Sequence, residues 1–299
     1  MNLSHLKYQR SRKYRIRNLA RFISIILIVL LTAIALIVIK VKSNNNGNGS
    51  ENNSDVVANP SITPITPEPT PEPTPTPFPV PEGKTMNPFL VIIDPGHGGG
   101  DGGTVSPFID GFYEKDIVLD IAKKVEALLI EKGIDVKMTR EEDARIIEHN
   151  DKDLVARWTM VNELDASLLV SIHVNAYDKV ESVNGMEVYY FEDKFEIYPG
   201  FTQKRFAEIM EETIPNANGI KFRFSEGGIR LALVRNPKMP AVLIETAYIT
   251  NKEDHKKLES QEFRENTAKG IVDGIVKAMD EIGVFEHEGA MYVFKEIGE

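Results

Sequence analysis

Two histidines and two glutamates occupy positions where chemistry is expected. Three apolar runs lead into residues that can bind or work beside a metal: FLVIIDPGH delivers His97, SLLVSIH delivers His173 and AVLIE delivers Glu245. An imidazole or carboxylate closing an apolar strand packs poorly, and burying it unpaired costs on the order of several kcal/mol. One divalent ion would satisfy several such groups together. Glu114 is a fourth candidate, in the first turn of an amphipathic segment, where the helix dipole favours the ionised carboxylate that binds a cation. Two histidines and one carboxylate form a catalytic zinc set that leaves coordination positions open for water and substrate. The chain contains no HExxH helix. The ligands must then come from separate elements, which the long spacings from 97 to 114 to 173 suit.

The loop GHGGGDGG, residues 96–103, also matches GxGxxG formally through Gly98, Gly100 and Gly103. That match fails on context, because a dinucleotide site needs a helix opening at the last glycine, and Thr104 to Tyr113 contains Pro107 and Gly111. Glycines here suit a backbone that turns sharply around a metal. The remaining histidines read as bystanders: His149, His255 and His287 sit among polar residues and are expected to be solvated, and His5 lies in the basic N-terminus. Trp158 falls in a helical apolar stripe and reads as core, and Glu187 as an outward-facing strand residue.

Positioning these groups requires strands and helices in alternation. Strands are expected at 89–94, 135–139, 167–173, 185–191 and 241–246, and helices at 114–132, 153–164, 202–213 and 261–282. Strands that are continuous apolar runs separated by helices predict an α/β domain with a twisted, largely parallel central sheet covered on both faces. Reactive groups then gather beyond the carboxyl ends of the strands.

Composition bounds the rest. The chain has 299 residues, no cysteine and a net charge of −10. Disulfide frameworks and thiolate metal clusters are excluded. The first 42 residues hold nine Lys or Arg and no acid, so the remainder carries 26 bases against 45 acids, a balance of −19. Nucleic acid is therefore not the expected partner of the main domain. Residues 22–39 (FISIILIVLLTAIALIVI) are uncharged and, as a helix, about 27 Å long, close to the hydrocarbon thickness of a bilayer. Seven bases precede this run, so the positive-inside rule keeps residues 1–21 cytoplasmic and exports the chain beyond residue 39. The expectation is a single-pass signal anchor. Residues 43–86 read as a disordered linker, rich first in Asn, Gly and Ser and then in proline, with ten prolines between Pro60 and Pro81. Its polyproline geometry makes a semi-rigid spacer. The catalytic domain is expected over 87–299.

The segments IIDPGHGGGDGG, YEKDIVLDIAKKVEALLIEKGIDVKMTR, SLLVSIHVNA and PAVLIETAYITN, in this order, resemble the zinc-dependent N-acetylmuramoyl-L-alanine amidases of bacterial cell walls. The resemblance covers nearly all of residues 89–282. It implies Zn²⁺ held by His97, Glu114 and His173, a catalytic glutamate at Glu245, and peptidoglycan as substrate, in roles from wall remodelling or lysis to sporulation and germination. From its place beside the glycine loop, Asp94 is expected to hydrogen-bond a ligand histidine. Where the family often has Gly-Phe-Leu-Ser-Asn, this chain has Ala247-Tyr248-Ile249-Thr250-Asn251. That departure touches substrate preference rather than chemistry. Some relatives insert an inhibitory helix between the second histidine and the catalytic glutamate. The 72-residue interval here shows no obvious extra helix, which implies an open site. Two alternatives stay open: a zinc peptidase cutting within the stem peptide, and a non-catalytic wall-binding or activator protein of the same fold.

Overall fold

The computed structural model describes residues 78–192, 197–228 and 231–296. The apolar runs form its centre. Strands β2 (Leu90–Pro95), β4 (Leu168–Asn175) and β7 (Ala241–Tyr248) lie side by side and parallel. Joining them are β3 (Asp135–Met138), β5 (Met186–Tyr189) and β6 (Phe222–Glu226), in the order β3-β2-β4-β7-β5-β6. The expected α/β sheet is present with one antiparallel junction: β5 runs against β7 and parallel to β6.

Alternation along the strands sorts the two faces. Val91, Ile93, Val170 and Ile172 point into the larger apolar core, covered by α1 (Glu114–Glu131), α3 (Gln203–Asn218) and α6 (Gln261–Ile282). Ile92, Leu169 and Ala241 point to the other face, where α2 (Asn150–Glu163) and the single turn α4 (Ala232–Arg235) build a smaller cluster that includes Trp158 at its margin. Each branched aliphatic side chain so buried contributes about 1.5–3 kcal/mol. Along this second face the sequence turns polar toward the strand ends, and these positions carry Asp94, Ser171, His173 and Glu245. The smaller cluster covers this face only in part.

Helix boundaries follow local chemistry. Ser260 caps α6 through its hydroxyl, and Gly283 ends it in the left-handed region. Helix α3 runs past the expected end at 213 to Asn218 with Pro215 inside its last turn, and Gly219 supplies the left-handed stop. Helix α5 (Lys252–Glu259), capped by Asn251, is not among the helices expected from the sequence.

A second sheet is also new. β1 (Lys84–Pro88), β8 (Phe285–His287) and β9 (Ala290–Glu296) pair antiparallel in the order β1-β9-β8. Its pairing starts at Lys84, inside the stretch expected to be linker, and the Phe78 ring stacks on Phe285 at 5.1 Å. The ordered domain therefore reaches further toward the N-terminus than residue 87. The apolar segment 22–39, the basic tail and the linker up to residue 77 lie outside the described residues. Among the described residues no helix is long and apolar enough to cross a membrane.

Candidate active site

His97, Glu114 and His173 converge although 76 residues separate the first from the last: one donor atom from each lies within 4.8 Å of the others. Glu114 is the hub. Its Oε1 lies 3.0 Å from His173 Nδ1 and 3.3 Å from His97 Nε2, and it accepts the Val174 N–H at 3.0 Å. Its Oε2 accepts the Thr104 N–H and hydroxyl at 2.7 and 3.0 Å. Burial pushes the Glu114 carboxyl up, but hydrogen bonds from the two imidazoles, and their charge, outweigh it and hold the group well below the usual carboxylate range. The carboxylate is thus fixed and ionised.

The glycine loop lets these groups meet. A Cβ on Gly96 would lie 2.3 Å from the His173 ring, and one on Gly103 would lie 2.6 Å from Glu114 Oε2 and 2.7 Å from His97 Cδ2. Gly103 also adopts φ +68°, where an L side chain is strained. Gly103→Ala is expected to cost about 1 kcal/mol or more in stability and to weaken divalent-metal binding by pushing Glu114 from His97. Thermal unfolding and a zinc titration of the full-length chain check this, and wild-type zinc affinity in the variant would contradict it.

His97 itself sits at φ +59°. Two buried arginines hold that backbone. Arg157 donates to the carbonyls of Pro95 and His97, and Arg140 to those of Pro95 and Gly96. Burial and the charge of Arg157 bring Arg140 down to about 10, still cationic at neutral pH.

Asp94 departs from the role the sequence implies. Among the described residues it bonds no histidine; it is fully buried and accepts from Thr139, Ser171 and Arg157 at 2.5, 2.7 and 2.9 Å. Burial pushes its carboxyl up, and Arg157 with the two hydroxyls more than reverses this. Its role is to anchor Arg157, and through it the backbone of His97. The acid that orients a histidine is Asp101, whose Oδ2 lies 3.1 Å from His97 Nδ1. Its signal in the sequence is an acid four residues after a histidine in a glycine loop.

Glu245 faces this cluster. β7 pairs it with His173, and its Oε2 is buried without a hydrogen-bond partner among the described residues. Burial, with the charges of Glu114 and Glu187, pushes its carboxyl up to about 7, while His173 and His97 pull the other way. Such an orphaned oxygen calls for a donor held by a third body, and a cation carrying water between the imidazoles would supply one. The donor set, two nitrogens and a carboxylate with side chains 26 % and 17 % exposed at His97 and His173, leaves a side open to solvent. The residues present fit a catalytic divalent metal.

The family model for N-acetylmuramoyl-L-alanine amidase matches residues 91–277, spanning every one of these groups. The chain belongs to that amidase family. Among its relatives it is 34% identical over 189 residues to the N-acetylmuramoyl-L-alanine amidase LytC of Bacillus subtilis, covering 62% of this chain and 34% of the relative. It is 35% identical over 193 residues to the endolysin of Bacillus phage SPP1, covering 64% and 66%. The chain thus spans one third to two thirds of the length of these curated relatives. The CwlD amidase from Clostridioides difficile, solved in complex with the GerS lipoprotein, superposes with a TM-score of 0.59 at 27% identity, covering 65% of this chain and all of that one.

Two further residues of this chain depart from the expectations. His255 is buried, not solvated: its Nε2 meets the Ser106 hydroxyl at 2.7 Å and its Nδ1 meets Glu259 at 2.7 Å, tying the loop after Thr104 to α5. The Ser106 oxygen also accepts the N–H groups of Phe108 and Ile109, so the contact is a clamp. Glu187 is buried rather than outward, paired directly with Glu245 across β5 and β7. His149 is exposed and His287 partly so. Of the helices described between β4 and β7, α3 packs against α6 on the opposite face, and α4 belongs to the smaller cluster.

Proposed function

We propose that this chain is a zinc-dependent N-acetylmuramoyl-L-alanine amidase, hydrolysing the amide between the lactyl group of N-acetylmuramic acid and L-alanine in peptidoglycan. The observation that carries the reading is the Glu245 oxygen that is buried, has no partner among the described residues and faces the His97–Glu114–His173 cluster. His97, Glu114 and His173 would hold the ion. Zinc so bound supplies a water acidic enough to act near neutral pH and polarises the scissile carbonyl. Thr104 and Val174 fix the Glu114 carboxylate by three hydrogen bonds, in the place where it would help hold the ion. Asp101 fixes the tautomer of His97 by taking its Nδ1 proton in a hydrogen bond. Glu245 removes the proton from the attacking water and passes it to the departing alanine nitrogen.

Location belongs to the same proposal. The apolar run at 22–39 with its basic N-terminal flank supports a single-pass membrane anchor, with the catalytic domain on the wall side of the membrane.

Digestion of purified peptidoglycan by the full-length chain, read by mass spectrometry, tests the activity. Intact stem peptides with a free L-alanine amine, and glycan freed of peptide, are expected. A chelator should abolish the release and added zinc restore it. Fragments cut within the stem would favour a peptidase instead, and no products would leave a wall-binding role.

A further inference from the structure

The antiparallel junction brings a guanidinium to the edge of the catalytic cleft. Glu187 lies opposite Glu245 in the β5–β7 ladder, so both side chains leave the same face. Four donors satisfy it: Asn175 Nδ2 at 2.9 Å, the Tyr189 hydroxyl at 2.6 Å, Arg223 Nη1 at 2.5 Å and the Tyr248 hydroxyl. Arg223 is the extra residue of a bulge, since Met186 pairs with Phe222 and Glu187 with Phe224. Bulges re-aim side chains beside active sites. Here the bulge brings the guanidinium from edge strand β6 back over Glu187.

That guanidinium is preorganised. Its carbon lies 5.2 Å from the Phe224 ring and 5.6 Å from the Tyr248 ring, and Nη1 donates to both Glu187 and the Tyr248 hydroxyl. Nε and Nη2 hydrogen-bond no group among the described residues, and 30 % of the side chain remains in solvent. Two parallel N–H donors on a fixed planar cation match the two oxygens of a carboxylate.

Distance selects which carboxylate. One strand pairing of about 5 Å separates the backbones of Glu245 and Glu187, and one ion pair separates Glu187 from Arg223. In an extended peptide, the residue after L-alanine lies about 7 Å beyond the scissile bond. In peptidoglycan stems that residue is D-glutamate joined through its side chain, which leaves its α-carboxyl group as a free acid or an amide. Resting on the amidase reading, we propose that Arg223 binds this α-carboxylate and makes the enzyme selective for stems in which it is not amidated.

Two soluble muramoyl dipeptides differing only there, N-acetylmuramoyl-L-alanyl-D-isoglutamate and the D-isoglutamine form, test the proposal with the full-length chain and zinc. Wild type is expected to show a kcat/KM about tenfold or more higher on the acid, the range of a charge-assisted hydrogen-bonded pair. Arg223→Gln should lose that factor on the acid relative to the amide, so that the two substrates are cleaved with equal kcat/KM. Arg223→Lys, with charge but no fork, should fall between. Equal cleavage of both substrates by wild type overturns the proposal alone, and so does an equal loss on both in Arg223→Gln. If wild type cuts neither, the amidase reading itself falls, and this proposal with it. Unfolding temperatures of both variants close to wild type would confirm that the kinetic changes are not losses of fold.

Discussion

Glu245→Gln is expected to lower kcat by about 10²–10⁴-fold, the usual contribution of a positioned acid–base group, while leaving fold and zinc content unchanged. Glutamine has the same shape, so the β7 position and its pairing with His173 persist. The ability to accept a proton is lost. In the metal-free site burial and two neighbouring carboxylates raise this carboxyl to about 7, which makes it a stronger base than a surface glutamate. A bound cation favours the ionised form, so it moves the group below 7. Glu245 works ionised, so kcat/KM should rise with pH through an acid limb below pH 7 and level off above it. Measured with zinc in saturating excess, the glutamine variant should lack that limb. Metal analysis, circular dichroism and a pH–rate series on the full-length chain check all three parts. A glutamine variant with wild-type turnover would refute the role.

How much of the site is legible in the sequence depends on strand direction. His97, His173 and Glu245 each follow an apolar run, and in parallel strands such ends gather at one edge, so the residue pattern alone locates them. Glu114 is legible as a first-turn helix acid. Glu187 is not, because β5 runs antiparallel to β7 and its residue at the catalytic edge lies near the start of the strand rather than the end. Local pattern shows a glutamate in Met-Glu-Val-Tyr-Tyr and carries no sign of direction. Arg223 depends on the same junction plus a bulge, which no periodicity reveals. Arg140 and Arg157 carry no local mark of their role, which lies in donating to the backbone carbonyls of residues 95–97. His255 has polar neighbours in sequence, which point to solvent, whereas Phe108 and Phe112 pack around its ring in space. The small sheet escapes a local reading because β1 and β9 lie over 200 residues apart.

His173→Ala is expected to remove zinc from the protein. In the metal-free site both imidazoles crowd one oxygen of Glu114, and that contact satisfies them only when they carry protons. Burial opposes this at His173, but the Glu114 hydrogen bond and the charges of Glu245, Glu114 and Asp94 overcome it and raise the group to about 9; His97 is raised as well. A divalent cation takes the place of those protons, so binding releases them and zinc affinity must fall as pH falls. Deleting one imidazole leaves a single nitrogen and one carboxylate, too few donors to hold zinc against dialysis. The wild-type full-length chain should therefore keep zinc through dialysis at pH 8 and lose it progressively under acid conditions, whereas His173→Ala should lose it at both. Stability provides a second readout independent of turnover. A ligand at 100 times its dissociation constant stabilises the folded state by about 2.7 kcal/mol, so added zinc should raise the unfolding temperature of wild type and leave that of the variant unmoved. Unchanged zinc content in the dialysed variant would remove His173 from the ligand set. A loss of zinc accompanied by the same unfolding temperature as metal-free wild type would tie the loss to the missing nitrogen rather than to a disrupted β4.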